Sequence, residues 1–195
     1  MRKAIGWTLV ASALALLAVL SGQHLLAQHR TTEAQVRLLG EVPSLVGAGS
    51  SRPVPRARGV EVGDALAVIT IPRFGDDWRW AALEGTSTDV LANGPGHYEQ
   101  TPLPGQRGNS AFAAHRAGHG DPFIDFDLLQ AGDRVVLEQG DARWVYELDA
   151  DPRIIPATAD WVLAPTPGRV LTLTTCWPRY GSSKRMYVRG HLVAS

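Results

Sequence analysis

From Asp64 onward, apolar and β-branched side chains come in short runs that stop at turn-forming residues, and this punctuation limits what the chain can build. Asp64–Ile71 reads as a strand stopped by Pro72, which has no N–H to give to a ladder. Asp77–Leu83 follows a Gly75-Asp76 turn and puts Trp78 and Trp80 on one face. Asn109–Ala114 is a further strand. Asp133–Glu138 and Arg143–Leu148 flank Gln139-Gly140-Asp141 as a hairpin. Arg153–Ile155, Arg169–Thr175 and Arg185–Ala194 complete the set. Between them, cap-type residues at 86–89 precede Val90-Leu91 and predict a short helix, which Gly94-Pro95-Gly96 ends. Phe123–Leu129 has room for one or two helical turns. Seven or eight short strands with small helical insertions predict a mainly β fold, closed or nearly closed into a barrel rather than wound as βαβ units.

The first part of the chain has another texture. Met1-Arg2-Lys3 is basic, and no charged side chain follows between Ala4 and Leu26, apart from the titratable His24. A bilayer-spanning helix needs roughly 20 apolar residues. The spacing therefore predicts a transmembrane anchor within residues 1–28, with the basic start in the cytoplasm and the remainder outside. A cleaved signal peptide is the rival reading, though its apolar core is shorter. Residues 29–59 are expected as a flexible extracellular linker with room for a short helix at Thr31–Leu39, because the stretch rich in Pro, Gly, Ser and Arg after Glu41 has too little apolar area to order itself. Residues 60–195 form the folded domain. Acidic and basic residues balance at 19 each, so no charge excess points to nucleic acid.

Val170-Leu171-Thr172-Leu173-Thr174-Thr175-Cys176 ends on the only cysteine of the chain. One cysteine excludes an internal disulfide framework and any multi-cysteine zinc site. A lone cysteine is often a small buried hydrophobe. Against that reading, Arg179, Lys184 and Arg185 follow closely, and positive charge favours a thiolate. A thiolate nucleophile also wants an imidazole, as ion-pair partner and proton donor to a leaving amine. His115 ends a strand and opens a glycine-containing loop, which makes it the candidate. Attack on an amide further calls for an oxyanion donor. Arg185 and Arg179 compete for that role, while Arg116 reads as a surface charge. His115-x-x-x-His119 is half of a zinc spacing, but Gly118 breaks the helix it needs. Asp121, Asp125 and Asp127 miss the EF-hand pattern. No metal and no cofactor is expected.

These residues resemble a known family. Thr174-Thr175-Cys176 followed by Arg185 resembles the Thr-Cys…Arg signature of sortases, the cysteine transpeptidases of Gram-positive surfaces. Gly108–Arg116 is similar to the block around their catalytic histidine. Ile71-Pro72-Arg73 and Gly94-Pro95-Gly96-His97-Tyr98 match further blocks in the same order, so the resemblance spans about Leu66 to Val193. The Cys-Trp-Pro and Gly-Pro-Gly-His-Tyr wording is most similar to the class E sortases of actinobacteria. The resemblance implies an eight-stranded sortase-like β-barrel with short helices behind one N-terminal transmembrane helix. It selects His115, Cys176 and Arg185 as catalytic. Thr175, His119 and His97 are the candidate substrate residues, with a structural threonine in a strand as the alternative for Thr175 and a structural role in a tight turn as the alternative for His97. His119 stands where class E sortases often carry a tyrosine.

The implied reaction is attack of Cys176 on the Thr–Gly bond of an LPXTG- or LAXTG-type sorting signal. A thioacyl enzyme forms and is resolved by a peptidoglycan precursor or stem-peptide amine. The implied partners are surface proteins bearing a C-terminal sorting signal, that amine, and the membrane through the N-terminal helix. Two rivals stay open on the residues alone: a cysteine hydrolase with the same site, and a non-enzymatic exported β-barrel binding module with an inert, buried cysteine.

Overall fold

The structure, a computed structural model, describes residues 2–42 and 60–195, apart from the side chains at 2–6, 8–11 and 24. Nine strands lie in one sheet: β1 (Ala65–Thr70), β2 (Arg79–Glu84), β3 (Gly96–His97), β4 (Gly108–Ala113), β5 (Arg134–Gln139), β6 (Ala142–Leu148), β7 (Arg153–Pro156), β8 (Arg169–Trp177) and β9 (Lys184–Ala194). Their order is β6-β5-β1-β2-β3-β4-β8-β9-β7, and β6 also pairs with β9. That extra pairing closes eight strands into a barrel, with Tyr146 of β6 against Leu192 of β9. Strand β7 stays outside the ring and pairs with Lys184–Tyr187, the part of β9 that β6 does not reach. The expected eight-stranded, mainly β barrel is what the chain forms.

Alternation sets the two faces of each strand. In β8, Leu171 and Leu173 point inward and are fully buried, while Thr172, Thr174 and Cys176 point outward. Phe112, Phe123, Phe126, Leu137 and Tyr146 fill the same interior. Each such side chain contributes roughly 1.5–3 kcal/mol relative to exposure. Arg73, in the 3-10 turn Pro72–Phe74 after β1, forks onto both carboxylate oxygens of Asp133 at 2.6 and 2.8 Å, which ties the end of β1 to the start of β5.

The short helix α2 (Thr88–Leu91) forms where the cap residues predict it, and Ser87 Oγ accepts from Val90 N. Strand β3 was not foreseen. It is two residues long, and its parallel pairing with β2 covers only Leu83–Gly96 and Glu84–His97.

Helix α1 runs without a break from Arg2 to Glu41. Among the described residues no helix is long and apolar enough to cross a membrane. The expected linker over 29–59 is corrected for its first part: residues 29–42 are helical and dock on the barrel. Thr31, Gln35, Leu38 and Val42 recur at helical spacing and are all buried. Leu38 and Val42 pack with Val68, Ala81 and Leu83. The physical reason is a gap in the ladder. Beyond the short β3, Ala81 of β2 has no neighbouring strand on that side, and the Gln35 amide takes its place. Gln35 Oε1 accepts from Ala81 N at 2.7 Å, and Gln35 Nε2 donates to Ala81 O at 3.1 Å and to Asn93 O at 2.7 Å. Gly94 permits this approach, since a Cβ there would lie 2.4 Å from Gln35 Nε2. The part of the expected linker over 43–59 lies outside the described residues.

Candidate active site

Three adjacent strands bring the three expected groups together. Cys176 of β8 is the direct cross-strand partner of Arg185 of β9. On its other side, β8 runs parallel to β4, with Thr174 level with Ala113. Ala114 N donates to Thr174 O at 3.2 Å and Thr175 Oγ1 donates to Ala114 O at 2.9 Å, which carries the same register past the end of β4. His115 thereby comes level with Cys176. The thiol is half-buried, free and at the outer face. His115, Cys176 and Arg185 thus stand in a row across β4, β8 and β9.

Two cavities open from this row. One, of about 250 Å³, is lined by Tyr98, Ala113, Thr174, His115, Cys176 and Arg185, with Thr86 and Leu91 at its edge. The other, of about 600 Å³, lies between the 115–124 loop and the β8–β9 loop. It is bounded by Asp121, Ile124, Arg179 and Tyr180 and shares His115 and Cys176 with the first. The thiol and imidazole sit on the ridge between two chambers.

Arg185 is fixed from one side only. Its Nη1 donates to Ser182 O and Lys184 O, each at 3.1 Å. Among the described residues its Nε and Nη2 make no hydrogen bond, and the side chain lines the smaller cavity. Arg179, the competitor for an oxyanion role, is engaged elsewhere: its Nη2 lies 3.3 Å from Asp127 Oδ1, and it lines only the larger cavity.

His115 is half-buried, and its Nε2 is shielded from solvent without a hydrogen-bond partner. Burial first, then the neighbouring imidazole of His119, hold its pKa below the ordinary histidine value of 6.5. The His119 ring stacks on it at 4.8 Å between centroids, with 27° between planes. His119 is presented by an unusual turn. Gly118, His119, Gly120 and Asp121 have φ of 85, 53, 79 and 54° in succession, all left-handed. For the two non-glycine residues this costs roughly 1–2 kcal/mol each. Contacts offset that cost: Gly118 N donates to Asp121 Oδ1, and Gly120 packs where a Cβ would meet Trp80 and Thr31.

The other expected substrate residues are less direct. Thr175 lines the smaller cavity, but its hydroxyl is buried and spent on Ala114 O. Thr174 is the threonine facing outward, and its Oγ1 meets Tyr98 OH at 3.1 Å. His97 lines neither cavity. It is fully buried, with Nδ1 at 3.0 Å from Glu84 Oε2 and Nε2 at 3.1 Å from Pro102 O and from Thr101 Oγ1. It locks the segment that delivers Tyr98, as the structural alternative has it. Tyr98 itself was missed by sequence reasoning, though the Gly-Pro-Gly-His-Tyr block contains it.

Arg116 is a correction. It reads as a surface charge, but its side chain is 1% exposed. It forms an ion pair with Asp127, its Nη1 lies 3.0 Å from Met186 Sδ, and its guanidinium sits 4.9 Å from the centre of the Trp177 ring. Asp127 also meets Arg179, so one carboxylate links the loop after β4 to the loop after β8. Among the described residues no cluster of three or more His, Cys, Asp or Glu is arranged to hold a metal ion.

A sequence model of the sortase domain matches residues 69–193. Sortase SrtE1 of Streptomyces coelicolor is 36% identical over 151 residues, covering 68% of this chain and 42% of that protein. Sortase SrtE2 of the same organism is 35% identical over 162 residues, covering 74% of this chain and 62% of that one. The chain therefore spans about half the length of these curated relatives. Sortase E from Streptomyces avermitilis superposes with a TM-score of 0.65 at 44% identity, over 69% of this chain and 91% of that one. Sortase E1 from S. coelicolor, solved with a tripeptide in its active site, superposes with a TM-score of 0.59 at 31% identity, over 68% of this chain and 90% of that one. The barrel, the Cys-His-Arg row and these likenesses agree: the chain belongs to the sortase family and is similar to its class E members.

Proposed function

We propose that this sortase is a membrane-anchored cysteine transpeptidase acting on a C-terminal sorting signal of the LPXTG or LAXTG type. The observation that carries the reading is the row His115–Cys176–Arg185 across three paired strands, open to a chamber on each side. The acyl half of the substrate lies in the smaller chamber, where Arg185 faces the carbonyl oxygen. Cys176 Sγ attacks the carbonyl carbon of the Thr–Gly bond, its proton having passed to His115. Negative charge gathers on the carbonyl oxygen and is met by the Arg185 guanidinium, a preorganised donor of the kind worth several kcal/mol in a partly enclosed site. The C–N bond then breaks, and the His115 imidazolium gives its proton to the departing amine. A peptidoglycan stem-peptide amine enters by the larger chamber, loses a proton to His115, attacks the thioester and releases Cys176.

The anchor rests on the uncharged run from Ala4 to Leu26 behind Arg2-Lys3. Leu14, Leu16, Leu17, Val19, Leu20, Leu25 and Leu26 are each more than half exposed and lie on all sides of α1. These exposed apolar side chains within residues 14–26 suit an apolar surround. This reading puts the N-terminus in the cytoplasm and the barrel outside the cell membrane.

The test uses the full chain in detergent micelles, a sorting-signal peptide and a diamino-acid nucleophile. A thioester adduct on Cys176 by mass spectrometry, absent in Cys176→Ala, and transfer to the amine support the transpeptidase. Release to water alone at saturating amine identifies a hydrolase instead. An inert thiol with no adduct leaves only a binding module.

A further inference from the structure

The 118–121 turn is held from outside the barrel. Gln28 Nε2, on helix α1, donates to Asp121 Oδ2 at 3.1 Å. The other oxygen of the same carboxylate accepts from Gly118 N, and Asp121 N donates back to Gly118 O at 3.1 Å. Thr31, one turn further along α1, sits against Gly120 beside Trp80. Phe123 N donates to His115 O at 3.0 Å and closes the base of the loop. The chain of contacts thus runs from α1 through Asp121 to the turn carrying His119, whose ring lies on His115.

We propose, on the reading of His115 as the catalytic imidazole, that Asp121 is a positioning residue: fastened to Gln28, it holds the left-handed turn that lays His119 on His115, so that docking of helix α1 sets the imidazole's surroundings. The charged and titratable groups around His115 are few. Cys176 comes from β8, Arg185 from β9 and Tyr98 from the segment after β3. Arg179 and Tyr180 come from the β8–β9 loop. Arg116 and Asp121 belong to its own loop, and Arg116 is taken up by Asp127. His119 is the one in ring contact. Its cationic form opposes a second positive charge on His115, which agrees with the lowered pKa of that ring.

The experiment follows the His115 imidazole by NMR in the full chain in detergent micelles, as a pH titration with ring-to-ring nuclear Overhauser contacts. The variants are Gln28→Ala, Asp121→Gly and His119→Ala. Alanine suits a helix and glycine suits a positive φ, so neither of the first two changes opposes the local backbone. All three are expected to raise the His115 midpoint toward 6.5, by at least about a twofold change in proton affinity. Gln28→Ala and Asp121→Gly should also weaken the His115–His119 contact, and Gln28→Ala should have no further effect on the midpoint in the His119→Ala background. An unmoved midpoint and an intact ring contact in Gln28→Ala would overturn the proposal, as would an unmoved midpoint in His119→Ala. Should Asp121→Gly fail to fold, Gln28→Ala carries the same test without touching the turn. Loss of the acyl adduct on Cys176 would sink the transpeptidase and leave this titration standing, so the two failures are told apart.

Discussion

Cys176 and Arg185 are direct partners near the end of the β8–β9 ladder, one pair short of Trp177 and Lys184. Opposed residues of an antiparallel pair share a face, so strand register alone aims the guanidinium beside the thiol. The eight residues between them in sequence are the rest of a hairpin and leave this alignment unchanged.

Arg185→Ala is expected to lower the rate of thioester formation about 10²–10³-fold, the usual consequence of losing one oxyanion donor. Stability should stay within about 0.5 kcal/mol, because the side chain's hydrogen bonds are made at the exposed surface. Arg185→Lys should not restore the rate, since an ammonium cannot both hold the Ser182 and Lys184 carbonyls and present a planar fork. Single-turnover acylation and thermal melts check this. A full-rate Arg185→Ala would move the oxyanion role elsewhere.

The Arg116–Asp127 pair gives an ordering. Asp127→Ala strands a buried guanidinium and is expected to cost about 3 kcal/mol. Arg116→Met leaves Asp127 with Arg179 and puts an apolar chain against Met186 and Trp177, so its cost should be smaller. Urea unfolding of the two variants measures the difference, and the reverse order contradicts the account.

Gln35→Ala removes the amide that completes the β2 ladder. Ala81 N–H and C=O and Asn93 C=O lose their partner, at an expected cost of about 1–3 kcal/mol. Hydrogen exchange at Ala81 should quicken in the variant, because that amide has lost its acceptor. Unchanged protection there would show that another group fills the gap.

The pH dependence has a definite sign. The folded pKa of His115 lies below its unfolded value, so the unfolded chain binds more protons between the two. Stability from this group is therefore complete above about pH 6.5 and is lost as pH falls from there toward the folded pKa. Thermal melts from pH 8 to pH 4 should show a decline that His115→Gln flattens. A His115→Gln profile parallel to the parent over that range removes the group from the balance.

The barrel was legible because most of its strands carry alternation bounded by glycine or proline, as at Asp64–Ile71 and Arg169–Thr175. The site was legible in part because Cys176 is unique and its neighbours match a family. What escaped was set by distant partners. Gly96-His97 is a strand only because Leu83 and Phe112 flank it, and two residues show no alternation. Arg116 is inside because Asp127, eleven positions on, and Trp177, from another strand, meet it there. Thr31, Gln35, Leu38 and Val42 had helical spacing in the sequence, but two polar members hid the stripe. Their polarity is the point, since they bond to backbone groups in the buried contact that an apolar side chain would leave unpaired.

Gln35 is stitched into the sheet as though it were a peptide unit, so the helix and the barrel share a backbone ladder. Leu38 and Val42 pack on the same side of the barrel, so the last turns of the rod are fastened by both polar and apolar contacts. On the proposed reading of α1 as the anchor, that docking would set how far the thiol stands from the anchored end, and reach would act as a filter on partners before any side chain is read.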